Sequence, residues 1–291
     1  MEVFHYILTR FNLKLWREDR LHQSTRSEAW LEKRFQLFET YCLPSICNQV
    51  FKDFTWIVLF DESTPDIYQK KIEAYKAVLP AFKPVVVPSS VGIHFVGAFQ
   101  KAVIKDLLLK TSTLDHCVVS TTYLDNDDAL SADFMKAVSD HTCEYSRDTF
   151  ITMHDGLQYF EDLQIANHVK YKNNHFITLI ESISGDKPIR KVYGYGSHGN
   201  VYRHPHCDVI GIKTKKPYWV EVVHDTNAKN NVILHRWTSL ATDRTILRMD
   251  FGLDIELRKD GWKVFYTTFA MRWMKAHMTY LKVKLNDLWG R

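Results

Sequence analysis

Cysteine is scarce in this sequence, and none of it is paired by spacing. The five residues stand at 42, 47, 117, 143 and 207. The number is odd and no CxxC occurs, which argues against a disulfide scaffold and fits reduced, buried thiols in a reducing compartment. Long apolar runs are also missing, since no stretch approaches the ~18 apolar residues of a membrane span. The N-terminal Met1-Glu2-Val3-Phe4-His5-Tyr6 has no basic segment ahead of a long apolar one, so it does not read as a signal peptide. These features together predict a cytoplasmic protein. Nor is there an excess of one charge. Thirty-eight Lys and Arg against 34 Asp and Glu leave +4, too little to argue for nucleic acid, though it suits an anionic substrate or membrane surface. The P-loop pattern GxxxxGK[ST] is absent, which counts against an NTPase.

What is present is an ordinary globular composition, 45% hydrophobic and 25% charged over 291 residues, enough to bury a substantial core. Short apolar runs alternate with helical patterns through the first 140 residues. Strands are expected at Val3–Leu8, Phe54–Phe60, Pro84–Val87 and Cys117–Ser120. Helices are expected from a Thr25-x-x-Glu28 capping box to a limit at Pro44, at Asp66–Val78 and at Phe95–Lys110. Such alternation predicts an α/β fold with a mostly parallel central sheet flanked by helices. Beyond residue 145 the pattern changes to strands with few helices between them, at Thr149–His154, Leu157–Phe160, His175–Ile180 and Tyr218–Val223. That predicts a smaller antiparallel extension. No linker or repeat divides the chain before residue 261.

In a parallel sheet the ligand sits beyond the carboxyl ends of the strands. Here those ends are Thr9-Arg10, Asp61-Glu62, Pro88-Ser89-Ser90 and Tyr123-Leu124-Asp125. Each end is polar or acidic, as a ligand crevice needs and as any strand-to-loop exit also is; Thr9, Arg10, Asp61 and Asp125 are the candidates to line such a crevice. Asp125-Asn126-Asp127-Asp128 follows a strand and precedes a helical stretch at Asp133–Ser139. Carboxylates so crowded repel one another unless a cation compensates. Mg²⁺ or Mn²⁺ is commonly shared between one or two carboxylates and a substrate phosphate. The same residues also suit a loop with an N-cap for the next helix. An EF-hand is excluded, because Leu130 and Lys136 stand where its Gly and Glu belong.

Several segments, in order, resemble the putative rhamnosyltransferase family, whose members have a glycosyltransferase A-type fold. They are Thr9-Arg10-Phe11, Arg34-Phe35-x-Leu37-Phe38-x-x-Tyr41-x-Leu43-Pro44-Ser45, Trp56-Ile57-Val58-Leu59-Phe60-Asp61, Leu124-Asp125-Asn126-Asp127-Asp128-Ala129, Thr178-Leu179-Ile180-Glu181, and Trp219-Val220-Glu221-Val222-Val223-His224-Asp225-x-Asn227. The resemblance implies a nucleoside-diphosphate sugar donor and a divalent metal, Mn²⁺ or Mg²⁺. It implies Asp125 and Asp127 as metal ligands, with Asp127 the direct one, and His224 completing the shell. One departure is Tyr123, where a basic residue is expected before the Leu-Asp pair; it loosens the link to rhamnose as the sugar.

If transfer inverts the anomeric centre, a carboxylate must take the acceptor's proton. Glu181 ranks first, Asp155 next, with Asp208 also downstream of the acidic cluster. Gly194-Tyr195-Gly196-Ser197-His198-Gly199 matches GxGxxG but lacks the following helix that a dinucleotide site needs. It reads as a loop able to close over a donor, with His198 or Arg203 near phosphate. His204-Pro205-His206-Cys207 has no partner pair at zinc-finger spacing.

From Trp262 onward, Trp262, Phe265, Phe269, Trp273, Ala276, Tyr280 and Val283 form one helical stripe. Met271, Met274, Met278, Leu281 and Leu285 widen it, and Arg272, Lys275 and Lys282 occupy the remaining face. Residues 262–291 thus form either an amphipathic helix in a membrane interface or one packed on the sheet domain, residues 1–261. The expected function is metal-dependent glycosyl transfer to a glycan or lipid-linked acceptor. The rivals are a phosphoryl- or nucleotidyltransferase using the same acidic site, and a non-catalytic, membrane-associated sugar-binding protein.

Overall fold

The structure is a computed structural model that describes the chain except residues 20, 21, 23, 112, 113, 115, 185–188, 197, 226–235, 276 and 279–291. In chain order its elements are β1 (Glu2–Arg10), α1 (Glu28–Leu37), α2 (Leu43–Cys47), β2 (Thr55–Asp61), α3 (Asp66–Val78), β3 (Phe82–Val87), α4 (Phe95–Lys110), β4 (Cys117–Tyr123), β5 (Ala129–Leu130) and α5 (Phe134–His141). There follow β6 (Asp148–Met153), β7 (Asp155–Phe160), β8 (Ile165–Lys170), β9 (Ile177–Ile183), β10 (Cys207–Ile212), β11 (Trp219–Val223), β12 (Trp237–Leu240), α6 (Ile246–Phe251) and α7 (Gly261–Thr268).

The main sheet runs β10-β6-β9-β4-β1-β2-β3. Its strands all point one way except β9, which lies antiparallel to both β4 and β6. The expected mostly parallel α/β sheet is therefore present. β2 is buried along its whole length, as befits a strand covered on both faces. One of those faces carries an aromatic cluster in which Phe38 packs between Trp56, Tyr75 and Phe82, while Phe35 stacks on Tyr68 at 4.4 Å.

The strands after residue 145 are divided. β6, β9 and β10 extend the main sheet, whereas β12-β8-β7-β11-β5 form a second, smaller one. That sheet is antiparallel apart from the β7–β11 pairing. β8, β10 and β12 were not expected from the sequence, because polar Asn167, His168, Asp208, Thr238 and Ser239 interrupt their apolar runs.

The start and end of the first helix also differ from expectation. Ser27, not Thr25, caps α1 by accepting from Trp30 N, while Thr25 Oγ1 is turned to the Trp16 carbonyl. Pro44 does not stop the helix. The chain widens into a π-helical turn at Phe38–Cys42, where Leu43 N bonds Phe38 O, and α2 follows with Pro44 in its first turn. A helix-interior proline lacks its N–H and clashes with the carbonyl four residues back; the widened turn places Pro44 at a helix start, where neither matters.

Candidate active site

β1 has β2 on one side and β4 on the other, so the connections diverge from its carboxyl end and leave a crevice there. A cleft of about 420 Å³ opens at that point. Arg10 ends β1, and Tyr123 ends β4. The acidic turn then crosses from the main sheet to β5 of the second, whose β7, β8 and β11 line the far wall with Gln158, Val169, Trp219 and Glu221.

That crossing explains why the turn's carboxylates are buried. Asn126 Nδ2 donates to Phe11 O at 2.7 Å, fixing the turn to the segment after β1. Asp125 lines the cleft and accepts from Arg10 Nη2 at 3.0 Å and Tyr123 Oη at 2.9 Å. Arg10 also donates to Tyr123 Oη, and its guanidinium lies over the rings of Phe95, Tyr123 and Tyr193. The positive charge missing at position 123 is thus supplied from the neighbouring strand.

Asp127 also lines the cleft. Its Oδ2 accepts from Arg34 Nη1 at 2.6 Å and lies 2.9 Å from His224 Nε2. Burial would raise this carboxyl, but the Arg34 guanidinium and His224 outweigh it and hold Asp127 well below the usual carboxylate range. Asp128 is bound on both sides: Oδ1 accepts from Val222 N at 2.9 Å, and Oδ2 lies 2.8 Å from His175 Nε2. Burial and the adjacent Asp127 charge lift Asp128 to about 7. Burial lowers His175, yet its bond to Asp128 wins and raises it to about 9. The bond from His175 pulls Asp128 down, but not enough to offset burial and the Asp127 charge.

Two donor sets could hold a cation. Asp125, Asp128 and His175 offer atoms within 4.8 Å of one another; Asp127 and His224 converge as described above. Carboxylate oxygens with one imidazole suit Mn²⁺ or Mg²⁺ chemistry, so the residues fit the expected metal. Asp125, Asp127 and His175 face the cleft, whereas Asp128 and His224 do not line it.

The other residues expected from the sequence are placed as follows. Thr9 is fully buried and accepts from Trp56 Nε1 at 2.9 Å. Asp61 is buried under Ser63 and Ser89, whose hydroxyls donate to it. Neither lines the cleft. Glu181 is fully buried, and its two oxygens accept from Arg190 N at 2.5 Å and Lys191 N at 2.8 Å. Burial lifts it to about 7. Asp155 Oδ2 accepts from Thr214 N at 3.0 Å, and exposed Asp208 pairs with Arg147. None of these three carboxylates lines the cleft. From the GxGxxG loop, His198 does, with Nδ1 at 3.0 Å from Asn173 O, while Arg203 does not. His204 and His206 stack edge to face at 5.7 Å, and Cys207 Sγ faces the Val201 and His204 carbonyls.

Sequence reasoning missed Arg34, Gln158, His175 and Glu221 as cleft residues. Arg34 and Glu221 lay within the segments that carried the family resemblance, which was the one available signal. Gln158 and His175 stand in short apolar strand patterns that say nothing about which face meets a cleft.

A family model described as putative rhamnosyl transferase matches residues 15–236. The chain belongs to this family. The family's description is that of a glycosyltransferase, and the matched span includes the acidic turn, Arg34 and Glu221. No curated protein matches the sequence. Among solved structures, TarS of S. aureus, residues 1–349, is similar at 12% identity and a TM-score of 0.39, over 76% of this chain and 60% of that one. The same segment in complex with UDP-GlcNAc gives 11% and 0.40, over 89% and 69%. The inositol-1-phosphate CTP transferase of T. maritima gives 11% and 0.35, over 75% and 89%. The chain thus spans 60% of the first TarS structure. All three likenesses are distant in sequence and in shape.

Proposed function

We propose that this glycosyltransferase moves a sugar from a nucleoside-diphosphate donor to a hydroxyl of a glycan or lipid-linked acceptor, with Mn²⁺ or Mg²⁺ as cofactor. The family description makes rhamnose, or another deoxyhexose, the sugar to test first. The observation that carries this reading is the meeting of two guanidiniums, Arg10 and Arg34, with the carboxylates Asp125 and Asp127 at the diverging ends of β1 and β4. Arginine presents a fork of donors matched to phosphate oxygens. Arg10 Nε and Trp30 Nε1, both buried beside the cleft, have no partner among the described residues.

Asp125 belongs to both possible metal sets, with Asp127 and His224 or with Asp128 and His175. Bound there, a divalent ion supplies Lewis-acid neutralisation of charge on the departing diphosphate. The protein's own groups orient the donor: Arg10 and Arg34 grip phosphate, and Tyr123 and Asn126 hold the acidic turn in place. Trp219 and Phe176, stacked at 4.8 Å, form an apolar wall of the cleft.

Thermal denaturation with UDP, GDP and dTDP, each with and without Mn²⁺, tests this. A ligand at 100 times its dissociation constant adds about 2.7 kcal/mol, which for a chain of this size shifts Tm by roughly 2–4 °C per kcal/mol. One nucleotide should stabilise the protein in a metal-dependent way, and Asp127→Ala should abolish the effect. Comparing Asp127→Ala with Asp128→Ala separates the two metal sets. No shift with any nucleotide would favour the sugar-binding alternative. Release of phosphate or pyrophosphate without a glycosylated product would favour phosphoryl or nucleotidyl transfer.

We also propose that residues 1–261 act as the catalytic unit and that the segment from 262 onward rests on an anionic membrane surface. In α7 and the turns after it, Phe265, Phe269 and Trp273 face inward, where Phe265 and Phe269 pack on Trp237 and Phe269 also meets Phe160. Trp262, Tyr266, Met271, Met274 and Met278 are exposed beside Lys263, Arg272 and Lys275. Exposed aromatics and methionines interleaved with cations fit an interfacial helix. Ala276, Tyr280, Val283, Leu281, Leu285 and Lys282 of the expected stripe lie outside the described residues. Among the described residues, no helix is long and apolar enough to cross a membrane.

A further inference from the structure

Glu221 sits on β11 in register with Gln158 of β7. Both line the cleft, and Gln158 Nε2 donates to Glu221 Oε2 at 3.0 Å. The other end of the Gln158 amide, Oε1, accepts from Trp237 Nε1 at 2.8 Å. This chain has only one sense. An indole nitrogen can donate but not accept, so Trp237 must face the amide oxygen, and the NH₂ end is necessarily turned to Glu221. Glu221 is thereby met by a neutral donor, which supports a carboxylate with a lone pair to offer. Gln158 and Trp237 are almost wholly buried, at 1% and 2% exposure, so the relay is rigid.

The remaining cleft carboxylates are engaged differently. Asp125 is held by Arg10 and Asp127 by Arg34; an ion-paired carboxylate is a weaker base. Asp19 stands on a loop, whereas Glu221 stands on a strand inside a sheet, where a reacting group is held more exactly in position. Glu221 makes no ion pair among the described residues. Burial lifts its carboxyl above the ordinary range, against the pull of nearby His175 and the Gln158 amide, which suits a group that must accept a proton near neutral pH.

We propose that Glu221 is the general base that takes the proton of the acceptor hydroxyl, and that Gln158, oriented by Trp237, positions it. The inference rests on the glycosyltransferase reading above. In the step it implies, the acceptor oxygen forms a bond to the anomeric carbon while its proton passes to Glu221, which becomes the neutral acid. The bond from the anomeric carbon to the diphosphate oxygen breaks, and its electron pair leaves with the nucleoside diphosphate. Glu221 then returns the proton to solvent. Because the acceptor oxygen displaces the diphosphate directly, in one step and with no intermediate on the protein, the product carries the anomeric configuration opposite to that of the donor.

The test uses the full chain with a nucleotide-sugar donor that the wild type turns over. Glu221→Gln keeps shape and the Gln158 contact region. It should lower kcat by roughly 100- to 10,000-fold, the usual share of a general base, while nucleotide affinity changes less than about twofold. Glu221→Asp should recover part of the loss. Gln158→Met, similar in size but without the amide, should lower kcat about tenfold with acceptor KM little changed; Trp237→Phe should act in the same direction more weakly. A merely structural role for Gln158 would lower Tm and leave kcat of the folded enzyme intact. Turnover of Glu221→Gln within about threefold of wild type, loss of activity in Asp19→Asn instead, or a product of retained configuration would each overturn the proposal. Nucleotide binding by the variants reports that they are folded. Failure of the wild type to bind any nucleotide would overturn the glycosyltransferase reading itself, a separate result.

Discussion

Asp106 shows what a buried carboxylate costs and how it is compensated. It lies outside the cleft and accepts from Tyr6 Oη at 2.9 Å, Lys110 Nζ at 3.0 Å and Lys83 Nζ. Burial pushes its carboxyl up, but the bonds from Lys83, Lys110 and Tyr6 win and hold it below the usual range. A depressed folded value means the stabilisation is complete above the unfolded value of about 3.9 and is lost as pH falls through the folded one. Asp106→Asn should therefore lower stability at pH 7 by about 1–3 kcal/mol, towards the lower end because both lysines are partly exposed. Melting curves from pH 7 to 3 should show the two proteins converging in acid. In the cleft, Arg10→Ala should weaken nucleotide binding roughly 10- to 100-fold, the loss of one charge-assisted contact. Arg10→Lys should not restore it, since a compact ammonium cannot reproduce the planar guanidinium that lies over Phe95, Tyr123 and Tyr193; calorimetric titration reads both.

The β7–β11 pair depends on one glycine. A Cβ at Gly156 would lie 2.1 Å from the Trp219 indole, and Trp219 is stacked on Phe176 with its Nε1 donating to Met153 O at 2.8 Å. Gly156→Ala must displace that ring or the strand. It should cost about 1–3 kcal/mol, the usual penalty of overpacking, and alter the near-ultraviolet circular dichroism of the tryptophans. Helix α1 is legible in sequence as a helix but not as a site element. Its apolar positions Trp30, Leu31, Phe35 and Phe38 announce the buried face. That Arg34 turns into the cleft to meet Asp127 depends on where the acidic turn crosses between sheets. Likewise, Glu181 reads as a functional acid because it ends an apolar strand. Its carboxylate instead holds the backbone of Arg190 and Lys191, while Glu221, in an equally plain strand, faces the cleft.

For the molecule as a whole, the cleft lies at the seam of two sheets, and the chain passes between them at Asp125–Asp128. The C-terminal helix covers the second sheet through Phe265, Phe269 and Trp273, so deleting it would uncover Trp237 and confuse stability with binding. Serine at Trp262, Tyr266 and Met271 changes only exposed positions, at 62%, 73% and 81%. That triple variant should keep its Tm within about 3–6 °C, because each of the three surface changes typically stays within about 0.5 kcal/mol and a chain of this size shifts roughly 2–4 °C per kcal/mol. Its co-sedimentation with phosphatidylserine-containing vesicles should fall sharply, and wild-type binding should weaken with salt. Equal binding by wild type and variant would count against the membrane contact.

Local periodicity and turn chemistry in the sequence determined the alternation of strands and helices, α3 and α4 to the residue, and the polar ends of the parallel strands. They also placed the acidic turn between a strand and a helix, because a strand exit and a crowded set of carboxylates are both short-range features. Only the tertiary structure decided which polar side chains share the cleft. Arg34, Asp127 and His224 are separated by almost 200 residues of chain, and Glu221, Gln158 and Trp237 meet through the register of three different strands. A strand's sequence tells which residues alternate between its two faces. It does not tell which strand lies beside it, and that pairing puts Glu221 in the cleft and Glu181 under a loop.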